Sequence, residues 1–341
     1  MVEDGRVRNG SSPRTLRSSL FWVGLFVTGI FTYLAVRDVH LGEAWDALGS
    51  SNYWWLLPSL AVLALFILIR AVRWRYLFAR TRRPSLGAVA EALLIGYLFN
   101  NILPARAGEV ARVVALKQRA GTSRAETAAT VVIERGYDVF CLLVLLFAAL
   151  PWLPPVSWLG TAVYLAIALA VGLAAAIAVL SIWGDRAVQL ALRPFVRLPF
   201  IRERVESMTR NLGQGLVGLR RGRIGVGAFF WTTLSWLVLA ISFWFVTLAF
   251  DLDLSPVAGL FVVIAVGLAM ILPSSPGSLG VFEAAAVFAL SAYGISSTRA
   301  LPYALVLHAV NLVPFLVVGF FILHRHAATL RRDTLSPDPL S

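Results

Sequence analysis

The sequence predicts an all-α polytopic membrane protein with an inverted-repeat, transporter-like fold of about six full spans and two oppositely oriented re-entrant helical hairpins. Three observations support this prediction. The 341 residues are 59% hydrophobic and 14% charged, with a mean hydropathy of +0.78, whereas soluble domains carry roughly 25% charge. Apolar runs of about 20 residues indicate helices rather than the shorter alternating strands of a barrel. Two further apolar runs are interrupted by polar residues.

The uninterrupted runs are predicted to cross the membrane. The first ends without a small-x-small cleavage site, so we interpret it as a retained span rather than a signal peptide. The predicted spans cover residues 20–36, 53–69, 124–150, 158–183, 225–250 and 301–323.

The hydrophilic segments between and beside these runs are rich in arginine. Residues 1–19 are predicted to be a disordered basic tail, and residues 324–341 a second tail. A basic loop containing Arg70, Arg73 and Arg75 follows the second span. Residues 184–224 intersperse apolar residues with arginines, which predicts an amphipathic helix on the membrane surface.

Two polar breaks interrupt the remaining apolar runs. The Ile-Leu-Pro triplet at 102–104 recurs at 271–273, and each copy is followed by small residues, a glycine and a glutamate. Hydrocarbon tolerates broken backbone only where protein or a water-filled cavity surrounds it. A full span at 86–103 would also place one of its two basic flanks outside. We therefore predict two re-entrant hairpins, with eight ordinary spans as the alternative.

The distribution of basic residues predicts the orientation. With both termini in the cytoplasm, every lysine and arginine is cytoplasmic except Arg37, Arg299 and Arg135, which satisfies the positive-inside rule. The first hairpin then enters from inside and the second from outside, as in carriers whose broken helices meet near the midplane. Topology thus explains the net charge of +12 without nucleic acid binding.

One predicted span carries three charges deep in the membrane, on Glu134, Arg135 and Asp138. A helix that begins near residue 124 rises about 1.5 Å per residue, which puts Asp138 roughly 20 Å along it. Each central charge costs on the order of 3 kcal/mol. Glu134 and Asp138 share a face, and Arg135 can pair with Asp138. The charges either form a structural salt bridge or line a polar cavity for substrate.

The first break supplies a second group of candidate substrate-binding residues, with Asn100 before it and Arg106, Glu109 and Arg112 after it. Guanidinium groups beside helix N–H groups suit a phosphodiester. The alternative is that Glu109 complements a helix dipole and that the arginines extend to the cytoplasmic headgroups.

The second break and the last span supply the remaining candidates. Gly277 and Gly280 would open a helix with exposed N–H groups, and Glu283 lies at its third position, where capping alone would explain it. His308 and Asn311 lie three residues apart in the last span, where a histidine often has no role beyond a hydrogen bond to a neighbour.

The sequence predicts no catalytic residue, cofactor or metal ion. The single lysine, Lys117, follows no Gly-rich loop, so the chain has no P-loop and no built-in ATPase. The one cysteine, Cys141, gives neither a disulfide framework nor a cysteine-based metal site.

Three motifs occur in order along the chain. They are Asn100 with Leu103-Pro104, Arg106, Gly108-Glu109 and Arg112; then Glu134-Arg135-x-x-Asp138; then Pro276-Gly277-x-x-Gly280-Val281-Phe282-Glu283. This pattern resembles the lysylphosphatidylglycerol synthase transmembrane (flippase-like) domain family over nearly the whole chain. Fused bacterial members carry a C-terminal aminoacyl-transferase domain, so this chain is expected to be a stand-alone member.

The resemblance implies a protein of the bacterial cytoplasmic (inner) membrane that binds phospholipid between two pseudo-symmetric halves, residues 20–183 and 225–323, and moves it between leaflets. Some relatives are joined to glycosyltransferases, so a lipid synthetase or a glycosyltransferase is an expected partner. Two alternatives stay open: a membrane-embedded headgroup or glycosyl transferase, and a docking subunit for a lipid-modifying enzyme. The sequence also leaves open whether the chain forms a homodimer.

Overall fold

The described part of the chain is helical. The computed structural model describes residues 13–78, 83–103, 106–157, 160–161, 164–172, 175, 222–272 and 274–335, and these residues contain no strand. Three 3₁₀ turns, Tyr53–Trp55, Leu150–Trp152 and Pro276–Ser278, interrupt the longer helices. These helices are α1 (Pro13–Val36), α2 (Leu41–Ser50), α3 (Leu56–Tyr76), α4 (Leu86–Ile102), α5 (Gly108–Ala120), α6 (Arg124–Ala149), α7 (Gly222–Ala249), α8 (Pro256–Ala269), α9 (Val281–Ser291) and α10 (Ser297–Leu335). The predicted all-α class is confirmed.

Three described helical stretches are long and apolar enough to cross a membrane, namely Tyr53–Tyr76, Gly225–Ala249 and Ser297–Arg325. Four shorter apolar stretches accompany them: Gly24–Val36, Leu86–Ile102, Pro256–Ala269 and Pro276–Ser291. The number of full spans, the re-entrant hairpins and the inverted repeat stay predictions. The amphipathic segment predicted at 184–224 lies outside the described residues except for its last three positions, as do much of the span predicted at 158–183 and most of the basic tail.

Local signals in the sequence set several helix ends. The side-chain oxygen of Ser85 accepts a hydrogen bond from the backbone N–H of Ala88 at the start of α4, and Ser123 does the same for Glu126 at the start of α6. Such caps satisfy backbone donors that have no partner within the helix. Gly121 ends α5 with a φ of 63°, a left-handed conformation that glycine adopts readily.

The two predicted breaks separate pairs of helices that pack against each other. Helix α4 packs on α5, and α8 packs on α9. The turn Pro276–Ser278, in the second break, packs on the end of α4. A Cβ placed on Gly277 would lie 3.6 Å from the carbonyl oxygen of Asn101, next to the first break. The two breaks are therefore in contact with each other.

The remaining helices surround this pair of breaks. Helix α1 packs on α9, and the hydroxyl of Thr28 accepts a hydrogen bond from the backbone N–H of Ser275 in the second break, at 3.1 Å. Helix α7 packs along α3, where the hydroxyls of Ser59 and Ser242 lie 2.9 Å apart. Helix α6 packs against α3, α5, α7 and α8.

The re-entrant topology is testable by cysteine labelling, because Cys141→Ala removes the one native cysteine. Single cysteines at Ser85 and Thr122, on either side of α4 and α5, should react with an impermeant reagent from the same face of the membrane. A cysteine at Ser157, beyond α6, should react from the opposite face. Labelling of Ser85 and Thr122 from opposite faces would mean that residues 86–120 cross the membrane.

Candidate functional site

A cluster of charged side chains lies where α3, α5 and α6 meet. It joins four guanidinium groups to three carboxylates through contacts of 2.5–3.6 Å. We call it the arginine–carboxylate cluster; its members are Arg70, Arg73, Glu109, Arg112, Glu134, Arg135 and Asp138.

Asp138 binds two buried arginines of α3. Its Oδ1 accepts hydrogen bonds from Nη1 of Arg70 at 3.1 Å and from Nη1 of Arg73 at 2.5 Å. Its Oδ2 accepts a second bond from Arg70 at 3.1 Å, so the Arg70 contact is bidentate. Charge-assisted, forked pairs of this kind are among the stronger hydrogen bonds in proteins. Asp138 therefore connects α6 firmly to α3.

Glu134, one helical turn before Asp138, extends the network to α5. Its carboxylate lies 3.1 Å from Nη2 of Arg70, 2.6 Å from Nη2 of Arg73 and 3.2 Å from Nη1 of Arg112. The side chain of Glu134 is fully buried. A buried charge needs such compensation, because its loss of hydration costs several kcal/mol. Glu134 is thus the central carboxylate of the cluster and links three helices.

The outer edge of the cluster is formed by Glu109 and Arg135. Glu109 contacts Nη2 of Arg112 at 2.5 Å and Nη2 of Arg135 at 2.8 Å. Arg135 also contacts Asp138 at 3.3 Å, which confirms the predicted pairing across one helical turn. The side chain of Arg135 is 36% exposed, whereas the other three arginines of the cluster are almost fully buried. Arg135 is therefore the cluster arginine that a ligand could reach.

Aromatic rings cover the buried arginines. The guanidinium of Arg112 lies 4.8 Å from the ring centroid of Trp74, and that of Arg70 lies 5.4 Å from Phe66 and 5.7 Å from Trp236. Cation–π contacts of this length stabilise a desolvated cation. The indole N–H of Trp74 donates to the hydroxyl of Thr130 at 3.0 Å, which fixes the ring. The inner side of the cluster is therefore closed by protein.

Arg70 and Arg73 are absent from the predicted site residues, and their predicted placement in a basic loop is wrong. Helix α3 continues to Tyr76, and both side chains are buried in it. The physical reason is that Glu134 and Asp138 compensate their charge, so the helix can extend past them. The signal in the sequence is the three-residue spacing of the arginines, which places both on one helical face and complements the four-residue spacing of the carboxylates.

The first break lies beside the cluster. Arg106 is exposed, adopts a φ of 53° and lies within electrostatic reach of Glu109, Arg135 and Asp138. Asn100 lies near the end of α4 with a buried side-chain oxygen that accepts no hydrogen bond from the described residues. The cluster thus includes Glu109 and Arg112, and Arg106 lies near it; a role of these three residues in substrate binding stays a prediction.

The candidates from the second half of the chain form a separate group. Glu283 accepts a hydrogen bond from the backbone N–H of Gly280 at 2.7 Å, which confirms the predicted cap, and its other oxygen contacts Nδ1 of His308 at 2.6 Å. The amide of Asn311 donates to the carbonyl of Leu307 in its own helix. Gly277 lies at the contact between the breaks. No contact among the described side chains joins this group to the cluster, and a role of either group in substrate binding stays a prediction.

Comparison with known proteins identifies the family. The profile described as "Lysylphosphatidylglycerol synthase TM region" matches residues 21–319. The chain belongs to this family. It is therefore a helical membrane protein, and the resemblance drawn from the three motifs is confirmed. A relative from Haloferax volcanii named "Glycosyltransferase AglD" is 27% identical, over 90% of this chain and 54% of that protein. This family member thus spans about half the length of the curated relative that it matches.

Proposed function

We propose that the protein is a translocase for a lipid phosphate, moving an anionic or aminoacylated glycerophospholipid, or another lipid with a phosphate group, across the bacterial cytoplasmic membrane. The observation that carries this proposal is the charge of the arginine–carboxylate cluster. Four guanidinium groups face three carboxylates, so the cluster has one positive charge in excess, and Arg106 adds a second. The two arginines in excess are Arg135 and Arg106, which are the ones that protein does not bury, so their charge is available to an anionic ligand.

A phosphate diester is the ligand that this excess favours. Guanidinium groups present planar, forked donors that match phosphate oxygens, and they remain charged at any physiological pH. Arg135 and Arg106 are the reachable cations, and the buried arginines hold the carboxylates that orient Arg135. The lipid tails would remain in the bilayer while the headgroup contacts these two side chains.

The backbone at Arg106 supports a role for its side chain. A φ of 53° is a left-handed conformation that costs a non-glycine residue roughly 1 kcal/mol or more. Glycine would remove this cost at a turn between two helices. An arginine at this strained position is explained if its positive charge binds a ligand, and a lipid phosphate at the first break would be such a ligand.

Substitution of Arg135 tests the proposal. In liposomes with headgroup-labelled phosphatidylglycerol and an impermeant quencher, the protein should expose the protected inner pool of label. Arg135→Ala should slow this movement about 10- to 100-fold, because one charge-assisted hydrogen bond contributes about 1.5–3 kcal/mol. Arg106→Gly should slow it similarly while relieving the strained backbone.

The matched control is Arg119→Ala. Arg119 lies in the last turn of α5, pairs with Glu91, and has an exposure of 33%, similar to that of Arg135. It is remote in sequence from the break, so its loss should leave lipid movement near the wild-type rate. If lipid movement has the same rate in wild type, Arg135→Ala and Arg106→Gly, the role of the cluster is structural only. Equal slowing by Arg119→Ala would point to a general charge effect.

A second candidate function is a part in lipid-linked transfer, either as a membrane-embedded headgroup or glycosyl transferase or as the docking subunit of such an enzyme. The relative named as a glycosyltransferase favours it. Headgroup analysis of membranes lacking the protein separates the two functions. A missing lipid species would support the transferase, and unchanged totals with an altered distribution between leaflets would support the translocase.

A further inference from the structure

The pair formed by Glu283 and His308 lies outside the arginine–carboxylate cluster and has no part in the proposed phosphate contact. Both residues are 6% exposed. Oε1 of Glu283 lies 2.6 Å from Nδ1 of His308, and Oε2 accepts the backbone N–H of Gly280. The imidazole stacks on Phe282, with ring centroids 4.4 Å apart. These contacts with Gly280 and Phe282, together with the contact between the two side chains, fix the geometry of the pair.

The pair can hold a variable number of protons. With a neutral imidazole whose Nδ1–H donates to the carboxylate, it carries a charge of −1. One further proton, taken up at the free ring nitrogen or shared along the short hydrogen bond, makes the pair neutral as a whole. Histidine is the side chain whose ordinary charge change falls between about pH 5 and about pH 8. In the arginine–carboxylate cluster, by contrast, every ion-pair partner of a carboxylate is an arginine, which cannot release its proton in this range.

The surroundings leave His308 as the titratable partner of Glu283. Helix α8 and the turn Pro276–Ser278 carry no titratable side chain. The described titratable groups on the other elements packed against α9 and α10 are held by contacts elsewhere or are exposed. They are Tyr33 on α1, Glu43 and Asp46 on α2, Arg70, Arg73, Arg75 and Tyr76 on α3, Glu91 and Tyr97 on α4, and Arg299, Tyr303, His324 and Arg325 on α10.

A change in the protonation of Glu283 and His308 would act directly on the second break. Glu283 caps α9 through Gly280, whose φ is 78° and which packs closely on Thr28 and Thr32 of α1. The same break contacts the end of α4 through Gly277 and Asn101. Helix α4 in turn packs on α5, which carries Glu109 and Arg112. A series of packed elements, including the two breaks, thus connects the Glu283–His308 pair to the arginine–carboxylate cluster.

We propose that Glu283 and His308 form a proton-binding site, and that a proton bound there is carried in exchange for, or together with, the lipid, so that a proton gradient drives lipid movement. The transport part of this inference rests on the proposed function. The proton-binding part stands on the geometry of the pair alone. One proton moves for each lipid molecule, and no covalent bond changes.

Proton binding is measured by NMR of histidine-labelled protein over about pH 5 to about pH 8. The chain has four histidines, and the His308 signal is the one lost in His308→Gln. The chemical shift of this signal should change with pH, and Glu283→Gln should alter that change. His40→Gln is the control, because His40 contacts Thr298 at a distant end of α10. A His308 signal that does not change over the range would overturn the proton site.

The coupling of lipid movement to a proton gradient is measured in the same labelled liposomes, with a different pH inside and outside. For one proton per lipid, the ratio of labelled lipid between leaflets should change by up to about tenfold per pH unit. In His308→Gln the ratio of labelled lipid between leaflets should no longer respond to the pH gradient. Wild-type movement that ignores the gradient would overturn the coupling and leave the translocase intact. Absence of any wild-type movement would instead contradict the proposed function, while the NMR titration would still decide the proton site.

Discussion

Asp138→Ala is expected to lower the free energy of unfolding by about 3–5 kcal/mol, the cost of breaking a buried ion pair from one side. Arg70 and Arg73 are almost fully buried, and Asp138 accepts hydrogen bonds from both. Without the carboxylate of Asp138, Arg70 and Arg73 would keep Glu134 as their only carboxylate partner among the contacts described above. Chemical unfolding of the purified protein in detergent measures the loss. Asp46→Ala is the control, because Asp46 lies away from the cluster on α2, and its effect should stay within about 0.5 kcal/mol.

A double-mutant cycle separates this ion pair from general damage to the core. Arg73→Ala should also destabilise the protein, because it removes a contact to Asp138 and one to Glu134. The double variant Arg73→Ala with Asp138→Ala should lose less than the sum of the two single losses, by about 0.5–3 kcal/mol. Strict additivity would show that the two side chains act independently, against the network described above.

The predicted end of the second span, before Arg70 and Arg73, comes too early in the chain. Hydropathy assigns a cost to each arginine separately, so it predicts that the second span stops before Arg70. That cost disappears when a carboxylate is close, and the carboxylates lie on α6, more than 60 residues away in the chain. A single sequence contains both halves of the pair but no distance between them. The spacing of the charges on each helix is the available clue.

Features that depend on neighbouring residues were predictable. The cap at Ser123, the cap formed by Glu283 and the contact between Arg135 and Asp138 all follow from spacings of three or four residues. The separation of the candidate residues into two groups was not predictable, because it depends on how α9 and α10 pack relative to α3 and α6. The repeated Ile-Leu-Pro triplet predicted two breaks, and their contact through Gly277 is consistent with it.

The crossing of α4 and α5 depends on two glycines, Gly96 and Gly108, of which only Gly108 belongs to one of the three sequence motifs. A Cβ on Gly108 would overlap the carbonyl oxygen of Gly96 and would lie 2.6 Å from Oδ1 of Asn100. A Cβ on Gly96 would in turn lie 3.0 Å from Cβ of Arg112. The overlap at Gly108 involves backbone on the other helix, so no side-chain rotation can relieve it. The two helices would have to move apart.

Gly108→Ala is therefore expected to destabilise the protein by about 1–3 kcal/mol or more, as overpacking does in a dense core. It should also slow lipid movement, because a displaced α5 moves Arg112 away from Glu134, which it contacts at 3.2 Å. Gly87→Ala near the start of α4 is the control: no described atom outside its own helix lies within 4 Å of the new Cβ, so the higher helix propensity of alanine should leave stability equal or slightly raised. Chemical unfolding and the liposome assay on the same preparations measure both effects. Equal behaviour of the two variants would show that α4 and α5 do not cross at Gly96 and Gly108, and would remove the close contact that holds the first break against the cluster.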